Sequence, residues 1–204
     1  MTPLGRLAPV LPNALTVARV FAIPPLVVLV LSSQDGSSLT AAGLFALAAL
    51  SDALDGHLAR SRDLVTTFGK VADPIADKLL VGAALVSLVA MDRLTAWVAL
   101  VIMARELAVS GLRAVAGREG LVISASRFGK AKMLLQVVTI LALIAAPHVS
   151  ALWVQALVYA TVAVTIASGL DYFVAFRRRR IGEPVGVRAT SAAGADASPR
   201  RAAP

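Results

Sequence analysis

Apolar residues fall into six long runs separated by short polar breaks, at roughly 13–31, 40–58, 74–91, 94–115, 131–146 and 151–176. Several approach the ~20 residues that a helix needs to cross a hydrocarbon core. The pattern predicts an all-α integral membrane protein with six transmembrane helices, occupying residues 1–180. Residues 181–204 are rich in Ala, Ser, Gly, Pro and Arg without apolar periodicity, and read as a disordered cytoplasmic tail. The first run is not read as a signal peptide, because no small-residue cleavage site is evident and further long apolar segments follow.

The polar breaks alternate in character. "SSQDGSS" (32–38), "MDR" (91–93) and "PHVS" (147–150) hold a single basic residue, Arg93. The others carry Arg60, Arg62 and Lys70, then Arg118, Arg127, Lys130 and Lys132, then the arginines 177–180. Basic residues collect in cytoplasmic loops, so both termini are expected in the cytoplasm. Composition agrees: 58% of the 204 residues are hydrophobic, 16% are charged, and mean hydropathy is +0.79. The net charge of +8 follows from this topology, and no exposed basic face suited to nucleic acid is apparent. With no cysteine, disulfides, Cys-ligated zinc or iron–sulfur centres and thiol nucleophiles are excluded. Any metal must sit on oxygen or on the two histidines.

One stretch breaks the apolar character: "SDALDGHLARSRDLVTTFGKVADPIADKLL", residues 51–80. Asp52 and Asp55 are three apart near the cytoplasmic end of the second helix, and Asp73 and Asp77 four apart at the start of the third. Each spacing puts its pair on one helix face, and the turn between them predicts a hairpin with the two faces opposed. Acids at a helix N-terminus are favourable, which explains Asp73 but neither Asp77, a turn deeper, nor Asp52. A carboxylate at bilayer depth costs about 2.5–3.5 kcal/mol, so four of them call for cations. Oxygen donors suit Mg²⁺ or Mn²⁺, and such ions often sit in pairs about 3.5–4 Å apart around an in-line phosphoryl displacement. Gly56 lets a ligand approach the backbone, and Arg60 offers a guanidinium to phosphate oxygens. Gly69 would serve the turn into the third helix, with Pro74 in that helix's first turn. In the first run, Asn13 reads as a helix cap with Thr16 and Arg19 on the following turns; taken alone, Arg19 reads as snorkelling towards headgroups.

Asp52-x₂-Asp55-Gly56-x₂-Ala59-Arg60-x₈-Gly69-x₃-Asp73-x₃-Asp77 matches the motif of the CDP-alcohol phosphatidyltransferases at every fixed position, and the chain resembles that family. The resemblance implies that Asp52, Asp55, Asp73 and Asp77 hold two divalent ions, with Asp77 also the general base. It implies contacts from Gly56, Arg60 and Thr66 to CDP-diacylglycerol, with Asn13, Thr16 and Gly69 completing the CDP-lipid set. It further implies a homodimer in a bacterial-type plasma membrane, in contact with membrane lipid, with no role in binding nucleic acid.

A second informative stretch is "ARELAVSGLRAVAGREGLVISASRFGKAKMLLQ", residues 104–136. Arg105 and Glu106 lie within an apolar segment, where charges usually pair or line a cavity. Arg127, Lys130 and Lys132 stand where the positive-inside bias alone would put them. R-E-x₃-S-G-L-R followed by S-x-x-G-K-x-K, with the opening "PNALTVAR", resembles the branch whose acceptor is sn-glycerol 3-phosphate. On that likeness Arg105, Arg113, Ser126, Lys130 and Lys132 bind the acceptor phosphate. Met133 departs from the branch, which commonly has Thr there. Two other readings stand beside this one: another acceptor (inositol phosphate, serine or phosphatidylglycerol), and, outside the family, a divalent-cation transporter. A transporter needs polar groups through the whole bilayer, whereas here they stay on one side.

Overall fold

The structure is a computed structural model that describes residues 10–33, 37–62, 67–118 and 127–181, with side chains described at 16–33, 37–51, 74–118 and 131–178. Among these residues it is all-helical. The elements are α1 (Val10–Leu31), α2 (Leu39–Arg62), α3 (Thr67–Ala90), α4 (Ala96–Arg118), α5 (Arg127–Ala145) and α6 (Leu152–Ile181). The six apolar runs are the centres of these six helices.

α1 packs along α3 and against α2, while α6 packs on both α4 and α5, and α2 joins the two groups through α5. Smaller contacts of α3 with α2, α4 and α5 close the bundle. Leu26, Phe45, Leu80, Leu85, Leu88, Ile140, Leu143 and Val154 fill its centre. Large apolar side chains also face outward: Phe21 and Val28 on α1, Leu47 and Leu50 on α2, Val86 on α3, Leu100 and Leu107 on α4, Leu134 on α5, and Tyr159, Leu170 and Phe173 on α6. A soluble monomer rarely exposes apolar surface so widely. By length and composition one helix, Leu152–Arg178, is long and apolar enough to cross a membrane, and Thr16–Leu31, Leu39–Ser51 and Ala131–Ala145 are shorter apolar stretches. α4 falls outside that measure because Arg105, Glu106 and Arg113 interrupt its apolar run.

The three basic-poor connections meet at one end of the bundle. Ser38 donates its backbone N–H to the Ile144 carbonyl (2.9 Å), and its Oγ accepts from the Ala41 N–H (3.1 Å), the geometry of an N-cap on α2. α3 ends with Asp92 in the left-handed region (φ 54°), while Arg93 N–H reaches Leu88 O (2.9 Å) and Asp92 N–H reaches Val89 O (3.1 Å). This is a Schellman ending, usually built on glycine. Arg93 is buried and donates from Nε to Leu143 O (2.8 Å) and from Nη2 to Ala146 O. The one basic residue of these breaks is thus a cap on the α5 C-terminus, where a cation is favourable.

Several helix ends differ from the expectation. α3 begins at Thr67, so Pro74 lies in its interior and removes one intrahelical hydrogen bond. Gly69 belongs to the first turn of α3, not to a turn before it. α1 begins at Val10, which makes Asn13 a helical residue and not a cap. Arg19 is 3% exposed, so it does not snorkel. Hydropathy marks where a helix is apolar; polar residues that keep helical geometry extend α2, α3, α5 and α6 past that mark.

Candidate active site

At the end opposite the short connections, α3, α4 and α5 enclose a cavity of about 440 Å³. α3 contributes Asp77, Lys78, Val81 and Gly82; α4 contributes Ile102, Met103, Arg105, Glu106, Leu107 and Arg113; α5 contributes Lys132, Met133, Gln136 and Val137. Four cations and two carboxylates therefore share one recess in an otherwise apolar bundle. Ile102 and Gln136 also line a second pocket of about 10 Å³, together with Leu85, Leu94, Ile140 and Leu143 and the hydroxyls of Thr139 and Thr161.

Charge within the recess is paired. Lys132, 7% exposed at its side chain, forms an ion pair with Glu106 Oε1, and the same oxygen lies 3.4 Å from Arg105 Nη1. The second nitrogen of Arg105, Nη2, donates to Ser168 Oγ on α6 (2.9 Å). Arg113 lies over the Tyr172 ring, 5.5 Å from its centroid. Lys78 Nζ donates to Pro74 O (3.1 Å). Buried charges are tolerated when paired and hydrogen-bonded, yet the guanidinium forks of Arg105 and Arg113 keep donors for a further anion. Arg105 Nε and Gln136 Oε1 are buried without a hydrogen-bond partner in the described structure. Such groups imply a ligand or water in a roomy polar site.

Comparison with known proteins places this arrangement. Residues 9–167 match the profile of the family described as CDP-alcohol phosphatidyltransferase. The chain belongs to the CDP-alcohol phosphatidyltransferase family. It is 39% identical over 185 residues to the CDP-diacylglycerol--glycerol-3-phosphate 3-phosphatidyltransferase of Bacillus subtilis (strain 168), covering 80% of this chain and 93% of the relative. A protein of the same name from Rickettsia typhi (strain ATCC VR-144 / Wilmington) is 38% identical over 176 residues, covering 81% of this chain and 96% of that one.

The structure brings some of the expected phosphatidyltransferase residues together and leaves others undescribed. Asp77 is half-buried on the cavity wall with Arg105, Arg113 and Lys132. Asp52, Asp55, Gly56 and Arg60 lie on α2, and Gly69 and Asp73 on α3, two helices that touch; their side chains are outside the described residues, as are those of Asn13 on α1 and Lys130 on α5. Thr66 and Ser126 lie outside the described residues altogether. Among the described residues no group of three His, Asp or Glu side chains comes together, and three of the four motif aspartates are not in that set. Thr16 is buried on α1, a helix that packs on both motif helices, and Thr16 and Asp77 each have an interaction partner. Met133, the position that departs from the resemblance, lines the cavity. Sequence reasoning missed Gln136, Ser168, Gly169 and Tyr172. Polar or small residues in the middle of apolar runs were the available signal.

Proposed function

We propose that this phosphatidyltransferase moves the phosphatidyl group of CDP-diacylglycerol to sn-glycerol 3-phosphate, giving phosphatidylglycerophosphate and CMP. The observation that carries the proposal is the clustering of Arg105, Arg113 and Lys132 beside Asp77 in one cavity within an apolar bundle. A phosphomonoester carries about −1.5 to −2 charge at neutral pH, and a recess with four cations against two carboxylates complements it. A neutral acceptor such as serine would leave the guanidinium donors unmatched.

In this reading Arg105, Arg113 and Lys132, with Ser126 and Lys130, hold the acceptor phosphate and turn a glycerol hydroxyl towards Asp77. Asp77 takes the hydroxyl proton. The acceptor oxygen then bonds to the phosphorus that bears the diacylglycerol, and the bond from that phosphorus to the bridging oxygen breaks as CMP departs. Asn13, Thr16, Gly56, Arg60, Thr66 and Gly69 contact the CDP-lipid. Asp52, Asp55, Asp73 and Asp77 are an all-oxygen donor set on two touching helices, which suits Mg²⁺ or Mn²⁺. Two such ions, when bound, would spread the diphosphate charge and stabilise the leaving phosphate.

The proposal includes six membrane-crossing helices with both termini and the cavity at the cytoplasmic face of a bacterial-type plasma membrane. The outward apolar side chains and the biased distribution of Lys and Arg support it. It also includes residues 1–180 as the catalytic domain and 181–204 as a cytoplasmic tail, and, on the family resemblance alone, a homodimer. The test is an acceptor panel: purified protein, CDP-diacylglycerol and Mg²⁺ or Mn²⁺, with CMP release measured for glycerol 3-phosphate, inositol phosphate, serine and phosphatidylglycerol. Release confined to glycerol 3-phosphate is expected. Faster release with a non-phosphorylated acceptor would remove the proposal's basis.

A further inference from the structure

Among the described residues α6 contributes none to the cavity wall, yet two of the cavity's arginines rest on it. Ser168 is 2% exposed and its hydroxyl proton is directed at the Thr165 carbonyl (3.2 Å), which leaves the oxygen to accept from Arg105 Nη2 at 2.9 Å. A Cβ on the next residue, Gly169, would lie 3.2 Å from Arg105 Cγ, closer than ordinary van der Waals contact. The glycine therefore lets the stem of Arg105 lie flat against the helix. One turn after Ser168, the buried ring of Tyr172 carries the guanidinium of Arg113 on its face. Residues three and four apart share a helix face, so Thr165, Ser168 and Tyr172 form one stripe. The family match ends at residue 167, just before the part of the stripe that meets the arginines.

Resting on the glycerol 3-phosphate reading, we propose that Ser168, Gly169 and Tyr172 are positioning residues that fix the spacing and aim of the Arg105 and Arg113 guanidiniums, and so set the enzyme's affinity for a phosphorylated acceptor. The physical reason is preorganisation. A long side chain loses rotamer freedom when it binds, and one already held by a hydroxyl acceptor, a close backbone or an aromatic face loses less. A guanidinium aimed beforehand also presents its fork to phosphate oxygens in the bidentate geometry that distinguishes Arg from Lys.

The experiment is a double-mutant cycle in the full-length protein, with KM measured separately for glycerol 3-phosphate and CDP-diacylglycerol. Ser168→Ala and Tyr172→Leu are each expected to raise the acceptor KM about fivefold or more while the donor KM stays put. Tyr172→Phe, which keeps the ring, should restore the acceptor KM. The deciding arm places Ser168→Ala in an Arg105→Ala background, where a residue acting through Arg105 has nothing left to lose. No further rise there is expected; an additive rise, or equal changes in donor and acceptor KM, would overturn the proposal. Gly169→Ala should follow Ser168→Ala, and thermal unfolding in detergent identifies a variant that is merely misfolded, leaving the cycle to decide. Failure of the underlying reading registers separately, as absence of CMP release with glycerol 3-phosphate in the unmodified protein, and would overturn both.

Discussion

Lys132 has two roles in the site that one substitution can separate. Its ammonium is the partner of Glu106, and in the proposed complex it is also a donor to the acceptor phosphate. Lys132→Met removes the charge and keeps an unbranched apolar stem in a space that is 7% exposed. Among the described residues, Glu106, 22% exposed, then faces Arg105 alone at 3.4 Å. Breaking a buried pair costs about 3–5 kcal/mol when nothing else meets the remaining charge. Since Arg105 stays, the expected loss is near the bottom of that range, about 3 kcal/mol, or on the order of 10 °C in Tm for a chain of this size. The acceptor loses one charge-assisted hydrogen bond, worth about 1.5–3 kcal/mol. That corresponds to roughly a 10- to 150-fold fall in kcat/KM for glycerol 3-phosphate. Adding Glu106→Gln removes the uncompensated carboxylate, so the double variant should recover most of the Tm and none of the acceptor kcat/KM. Melting in detergent and CMP release against acceptor concentration measure the two quantities independently. If the double variant regained acceptor use along with stability, Lys132 would serve only as the counter-ion of Glu106, and the phosphate reading of the cavity would lose a principal support.

Three further outcomes are expected. Asp77→Asn should cut turnover by more than the roughly 10²–10⁴-fold typical of a general base, since a metal ligand would be disturbed as well; near-normal CMP release would sink that assignment. Asp92→Gly should leave activity unchanged and stabilise the protein by about 1 kcal/mol, because a left-handed φ costs a non-glycine residue about that much, and an unchanged or lower Tm would argue against strain at the α3 end. Cysteines placed at Ser33 and Ser150 should react with an impermeant reagent from outside cells and one at Ser61 only after permeabilisation, while the reverse pattern would move the cavity to the other face.

Much of the architecture was legible because a long apolar run that must satisfy its own backbone has few options besides a helix. All six runs became helices, and the grouping of the basic-poor connections at one end followed from counting Lys and Arg. The helix limits were not legible. Residues 67–73 and 59–62 are polar enough to look like a loop, yet they continue α3 and α2, so Pro74 and Gly69 took positions that hydropathy could not assign. Asn13 failed as a cap because the helix continues back through Pro12 and Leu11 to Val10. In the site, the depth of Arg105 and Glu106 in an apolar run pointed to pairing or a cavity wall, and they do both. What holds the arginines was hidden, because the partners lie 63 positions away for Arg105 and on the same distant helix for Arg113. No local pattern reveals a contact between helices that only packing brings together.

Arg93 has a bearing on the order in which the chain can be completed. Its guanidinium is satisfied by the carbonyls of Leu143 and Ala146, some fifty residues later. While the first four helices are emerging from the ribosome, that charge lacks the partners it has in the folded protein, and when α5 arrives the Leu143 and Ala146 carbonyls lack theirs until they meet it. Chains assemble from the N-terminus during synthesis, so the α3–α4 connection is a joint that α3 and α4 cannot close by themselves. Closing it joins the first half of the protein to the second at the end remote from the cavity. Because α5 also carries Lys132, the same event delivers the cation that meets Glu106 on α4. The cavity's third wall and the latch at the far end of the bundle are thus supplied by the same helix.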